Sequence, residues 1–128
     1  MSRRWLAFLP PLAYAAVIFA LSSQSRPLPF LPDELLLHDK LLHALEYSVL
    51  GALLVVALRL AGLGPRAALL VAVLLGSIYG ATDEIHQSFV PGRDAAVLDW
   101  VADTLGVILG AAAATVASVA LRRARGAG

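Results

Sequence analysis

From Val97 to Leu121 the chain reads VLDWVADTLGVILGAAAATVASVAL. Crossing a hydrocarbon core about 30 Å thick takes roughly 17–25 helical residues, and this run is long enough. Its only charges, Asp99 and Asp103, stand near its start, and Arg122 and Arg123 follow its end. Gly106, Gly110, Ala114 and Ser118 continue the spacing of the two aspartates, so all six share one helical face. Small residues at this spacing let membrane helices approach closely. The acids on that face therefore point into a bundle and away from lipid.

Three further apolar stretches have the same character. Trp5 to Leu21 carries no charge, and about 41–58 carries only Glu46, near its start. Ala67 to Thr82 is uncharged but short, and reaches spanning length only if its helix continues to Gln87. The chain is 59% hydrophobic and only 15% charged, with a mean hydropathy of +0.79. A soluble domain is usually about 45–50% apolar, and so few charges cannot cover a soluble surface. The sequence predicts one all-α domain over 1–128, a four-span transmembrane helical bundle with spans near 5–21, 41–58, 67–87 and 97–121.

The charges predict its orientation. Arg3, Arg4, Arg59, Arg66, Arg122, Arg123 and Arg125 fall on one side of such a bundle, a charge of +7 with no acid. The other side holds Arg26, Lys40 and Arg93 against all nine acids, a charge of −6. Basic loops stay cytoplasmic, so both termini are expected inside and both acidic stretches outside. Arg3-Arg4 before an apolar run has the outline of a secretory signal. The run is longer than a usual signal core, and its removal would leave an odd number of spans, so it is expected to remain as the first one. There is no cysteine, which excludes disulfides, thiolate metal sites and thiol nucleophiles. The arginines form no nucleic-acid patch and read as anchors for anionic lipid headgroups.

Between the spans, Pro10-Pro11 is expected to kink or loosen the first helix, which ends in the polar cluster Ser22-Ser23-Gln24-Ser25. Arg26 to His38, with Pro27, Pro29 and Pro32, reads as an extended or re-entrant outer loop. Asp39 is placed as the cap of the second helix. Gly62, Gly64 and Pro65 predict a turn on the arginine side. Val90-Pro91-Gly92-Arg93 suits a tight turn with Pro91 second and Gly92 third. Two outer loops would then cover a polar pocket.

Helical spacing assembles that pocket. His43, Glu46, Tyr47, Leu50, Gly51 and Leu54 share a face of the second span; Gly76, Tyr79, Gly80, Asp83 and Gln87 share one of the third, flanked by Glu84 and His86. Asp103 lies roughly 6 Å deeper than Asp99 at 1.5 Å per residue. A charge there costs about 2.5–3.5 kcal/mol or more unless paired or wetted. Arg93, Lys40, His43 and His86 are the available partners, and Arg93 is expected to contact at least one of Asp83, Glu84, Asp99 and Asp103, with His43 and His86 near it.

Asp39-Lys40-Leu41-Leu42-His43 with Glu46-Tyr47, then Asp83-Glu84-Ile85-His86-Gln87-Ser88-Phe89-Val90-Pro91-Gly92-Arg93, then Asp99 and Gly106, resemble the VanZ-like membrane protein family. Ser22-Ser23-Gln24 resembles its pattern after the first span. Where this chain has Asp103, that family often has asparagine. The resemblance implies a protein of the bacterial cytoplasmic membrane and envelope, associated with resistance to teicoplanin, a glycopeptide that binds cell-wall precursors.

His43, Glu46, Glu84, His86 and Asp99 are the candidates for acid–base chemistry. Lys40, Asp83, Gln87, Arg93 and Asp103 are the candidates for ligand binding, Arg93 as a fork for a carboxylate or phosphate. His43 with Glu46, plus Glu84 and His86, carry the imidazole and carboxylate donors that suit zinc, but no HExxH or other metal spacing is present, so the sequence assigns no metal ligand and names no cofactor. Expected partners are membrane lipids, with a lipid-linked cell-wall precursor or a lipoglycopeptide as ligand, bound without chemistry or modified by an enzyme. A transporter is a third reading. It would require oligomers, because four short spans leave little room for alternating access.

Overall fold

The computed structural model describes residues 3–25 and 39–127. The loop expected over 26–38 lies outside the described residues. Among these the chain is helical, with no strand. A 3₁₀ turn, Arg3–Phe8, leads into α1 (Leu9–Ser22); α2 (Asp39–Leu60), α3 (Pro65–Gln87) and α4 (Val97–Gly126) follow. All four, counting the 3₁₀ turn with α1, are long and apolar enough to cross a membrane.

The prolines of the first span act differently from the expected kink. They lie in the first turn of α1, directly after the 3₁₀ stretch. A missing N–H costs little there, because first-turn donors have no intrahelical partner. Pro10-Pro11 therefore marks the change from 3₁₀ to α-helix. Pro65 likewise opens α3, after an extended Gly64. α3 continues through Asp83 to Gln87 and so gains the length its apolar part lacks. α4 runs past Leu121 through Arg122, Arg123 and Arg125, where arginines complement the negative end of the helix dipole.

Both turns follow the residues placed in them. Gly62 has φ 109°, a region that only glycine adopts without cost. The turn is closed by Arg59 Nη1 donating to the Leu63 carbonyl at 2.8 Å and Arg4 Nη1 donating to the Ala61 carbonyl at 3.3 Å. At the acidic end, the Arg93 amide donates to the Val90 carbonyl at 3.1 Å. Gly92 has φ 80°, as the third position of a type II turn requires.

α2 and α4 form the closest pair, and glycine is the reason. A Cβ on Gly106 would collide with the backbone of Ala44, one on Gly110 with that of Ser48, and one on Gly51 with that of Val107. The two backbones therefore meet with no side chain between them. α3 closes over this seam. Its Gly76 receives the Val107 side chain, and its Ala68 and Ala72 pack with Val55, Leu58 and Ala111. α1 lies outside, with Ile18 against Tyr47, Leu50 and Val107.

Polarity runs opposite to that of a soluble bundle. Leu70 is 69% exposed and Leu105 is 54% exposed, whereas Asp103 is 0% exposed. Leucine on the outside costs nothing in lipid, and a charge there must hide.

Candidate functional site

The buried polar groups gather at one end. α2 starts there, α3 ends there and α4 starts there, so residues far apart in sequence converge. His43, Asp83, Glu84, Gln87, Asp99 and Asp103 are all buried. A single residue sets their spacing to α3. A Cβ on Gly80 would lie 3.2 Å from Asp103 Cβ and 3.3 Å from its Oδ2. Glycine at that position lets the Asp103 carboxylate seat directly against α3.

The central contact joins His43 Nδ1 to Asp103 Oδ1 at 2.7 Å. One turn toward the end of the bundle, Lys40 Nζ donates to Asp99 Oδ1 at 2.9 Å. His43 Nε2 also lies 3.7 Å from Asp39 Oδ1, so Asp39 faces this histidine as well as opening the helix. Glu84 reaches across to the start of α4, where its Oε2 accepts the Ala96 amide at 3.1 Å. That carboxylate serves as a cap supplied by another helix, because the N-cap residue, Ala96, makes no side-chain hydrogen bond.

A second chain of contacts adjoins the first. Arg93 Nη2 donates to Gln87 Oε1 at 2.8 Å, and Gln87 Nε2 donates to Asp83 Oδ2 at 3.0 Å. The expectation of a direct contact between Arg93 and Asp83, Glu84, Asp99 or Asp103 is therefore corrected. Gln87 stands between Arg93 and the acid, and the cation on Asp99 is Lys40. A neutral amide can relay in this way because it both accepts and donates.

His86 is also corrected. It turns to α1, away from His43. Its Nε2 lies 3.0 Å from Ser23 Oγ, and its ring stacks on Phe19 with centroids 4.5 Å apart. Ser25 Oγ donates to the Pro91 carbonyl at 2.7 Å, so this end of α1 is pinned twice. Helical phase contains the reason: His86 is three residues from Asp83 and two from Glu84, on the flank of the buried stripe. Glu46 is half-buried and contributes its carbonyl, which accepts the Tyr14 hydroxyl at 3.1 Å. Its carboxylate takes no part in either chain of contacts among the described residues.

Sequence reasoning missed Trp100, whose Nε1 donates to the Ser77 carbonyl at 3.0 Å. With Ala81, Glu84, Ile85, Ser88, Ala96 and Val97 it walls an open groove of about 360 Å³ between α3 and the start of α4. The signal available was a tryptophan one residue from Asp99, near the end of a span, where aromatic residues with one polar atom tend to sit.

Two trios stand at metal-ligand spacing, with their ligand atoms within 4.8 Å of one another: Asp39, His43 and Asp99, and His43, Glu84 and Asp103. The residues of the second trio are all buried. Neither matches the His43, Glu46, Glu84 and His86 set weighed from sequence. Chemically the site offers an imidazole oriented by a carboxylate, several buried acceptors and two fixed cations.

A family model described as VanZ/LLP1 matches residues 5–118. No curated protein and no solved structure matches the chain.

Proposed function

The chain belongs to the VanZ/LLP1 family, and from that premise we propose that it binds an amphiphile at the outer leaflet of the bacterial cytoplasmic membrane. The ligand is a lipid-linked cell-wall precursor or the lipid tail of a lipoglycopeptide, and the consequence is glycopeptide tolerance. The observation that carries this reading is the position of Glu84. It belongs to the buried polar cluster and also lines the groove walled by Ile85, Val97 and Trp100. A polar head with hydroxyl, amide or ammonium donors would meet the carboxylate, while its chain lay along the apolar wall. Sites of this kind combine apolar lining with a few convergent polar groups.

The arginine distribution supports the orientation. The polar cluster lies at the end opposite Arg3, Arg4, Arg59, Arg66 and Arg122, and cytoplasmic loops carry the excess of arginine.

A photoreactive polyprenyl-linked disaccharide-peptide, presented in nanodiscs, tests the proposal. Crosslinking is expected in the α3–α4 groove and should fall at least tenfold in Trp100→Ala and Glu84→Gln. Crosslinking that is absent, or unchanged by both substitutions, defeats the proposal.

The His43–Asp103 hydrogen bond favours a second reading, an enzyme that modifies such an intermediate. A carboxylate that orients an imidazole prepares it as a general base. A modified precursor formed by the wild type and not by His43→Gln would select this reading over simple binding.

A further inference from the structure

We propose that His43, Glu84 and Asp103 form a binding site for one divalent transition-metal ion, of which zinc is the type. The site joins α2, α3 and α4 at the acidic end of the bundle. It stands independently of the ligand proposed above, because the ion's donors come entirely from this chain.

Geometry comes first. The three residues each present a donor atom, and the three atoms lie within 4.8 Å of one another. Zinc–nitrogen and zinc–oxygen bonds run about 2.0–2.2 Å, so small side-chain rotations would bring all three donors onto one ion. The donors arise from three helices whose close approach is set by glycines, Gly106 and Gly110 of α4 against α2 and Gly80 of α3 against Asp103. The donor set is therefore held by packing rather than by a mobile loop.

The second observation is independent of spacing. Glu84 Oε1 and Asp103 Oδ2 are buried and have no hydrogen-bond partner among the described residues. Glu84 is 7% exposed and Asp103 is 0% exposed. Each carboxylate uses one oxygen in the fold, toward Ala96 or His43, and leaves the other unsatisfied. A buried acceptor without a partner is costly, and more so when charged. A cation between these two oxygens would satisfy both.

Charge balance agrees. Asp83, Glu84, Asp99 and Asp103 are buried. Among the described residues, the permanent cations bonded into this cluster are Lys40, on Asp99, and Arg93, relayed to Asp83 through Gln87. Glu84 and Asp103 are left without one, and a divalent ion balances that pair. A His43–Asp103 ion pair alone would neutralise one carboxylate and leave Glu84 uncompensated. One imidazole and two carboxylates are ligand types that zinc takes, and three protein ligands leave a fourth position for water or a ligand oxygen.

The test uses the full chain, purified in detergent, stripped with chelator and dialysed against zinc or cobalt. Metal content by mass spectrometry should reach one equivalent per chain. Cobalt should give a visible d–d spectrum. Glu84→Gln and Asp103→Asn, which keep the side-chain shapes, should each lower affinity at least tenfold, while His86→Gln and Arg93→Gln keep it. Zinc should also raise the thermal midpoint of the wild type and leave that of Asp103→Asn unmoved, a readout that needs no activity. A folded wild type that holds no stoichiometric metal, or binding that survives both Glu84→Gln and Asp103→Asn, overturns the site. Failure of precursor crosslinking with metal retained would reject the proposed function and leave this site standing.

Discussion

His43 and Asp103 face one another across the α2–α4 seam, 2.7 Å apart and both buried. Their contact is polar and lies about one turn from where Gly106 meets the Ala44 backbone. Truncating one partner strands the other, whereas replacing both with apolar residues does not. Asp103→Ala should lower stability by about 3–5 kcal/mol, and His43→Leu combined with Asp103→Leu should lower it less than Asp103→Ala does. Unfolding in mixed detergent measures this. A double variant weaker than the single one would show that the pair itself supports the seam.

Gly110 meets the Ser48 backbone directly. Gly110→Leu should separate α2 from α4 and abolish detergent-resistant folding. Ala113→Leu, on the exposed side of α4, should change stability by less than about 0.5 kcal/mol, as substitutions away from packed features usually do. Size-exclusion profiles and thermal melts of the two variants distinguish seam from lipid face, and equal tolerance would contradict the packing.

Orientation is open to direct labelling. Ser88 is exposed at the acidic end and Gly64 at the arginine end. Cysteine at Ser88 should react with an impermeant reagent added outside intact cells, and cysteine at Gly64 should react only after permeabilisation. The reverse pattern would move the whole polar cluster to the cytoplasm.

His86 ties α3 to α1 through Ser23 and Phe19. His86→Ala should loosen α1, seen as faster protease cleavage near Ser25, and leave the His43 cluster intact. His86→Phe should restore the stacking and most of the protection. If His86→Ala abolishes precursor crosslinking with α1 still protected, the residue serves the ligand and not the helix contact.

Arg93 acts through Gln87. Arg93→Gln and Gln87→Leu should therefore give the same loss of function, and the double variant should be no worse than either single one. Energies of residues in one network are not additive. Additive losses would mean that Arg93 has a separate partner.

Sequence alone determined the four spans, their order and the end at which the acids collect, because length and hydropathy suffice for a helix in lipid. It also placed a tight helix contact on the small-residue face of α4, without naming the partner helix. Small residues on one face have few uses in a bilayer other than close packing, and Gly106 and Gly110 occupy that role. The tight turn at Val90–Arg93 was equally legible, because proline and glycine restrict φ locally. All of these are properties of one segment at a time.

Only the tertiary structure decided who meets whom. Helical phase placed His43, Asp83, Asp99 and Asp103 inward, yet could not choose among pairings that depend on the rotation and height of neighbouring helices. A shift of one residue turns a helix by about 100°. That is enough to carry His86 from the cluster to α1 while its neighbour Glu84 stays inside. The same uncertainty hid Gln87 between Arg93 and Asp83, and Lys40 on Asp99. The His43, Glu84 and Asp103 trio has no sequence signature, because its donors sit on three different helices. Their spacing is set by Gly80 and by the α2–α4 seam, so it exists only once those helices have packed.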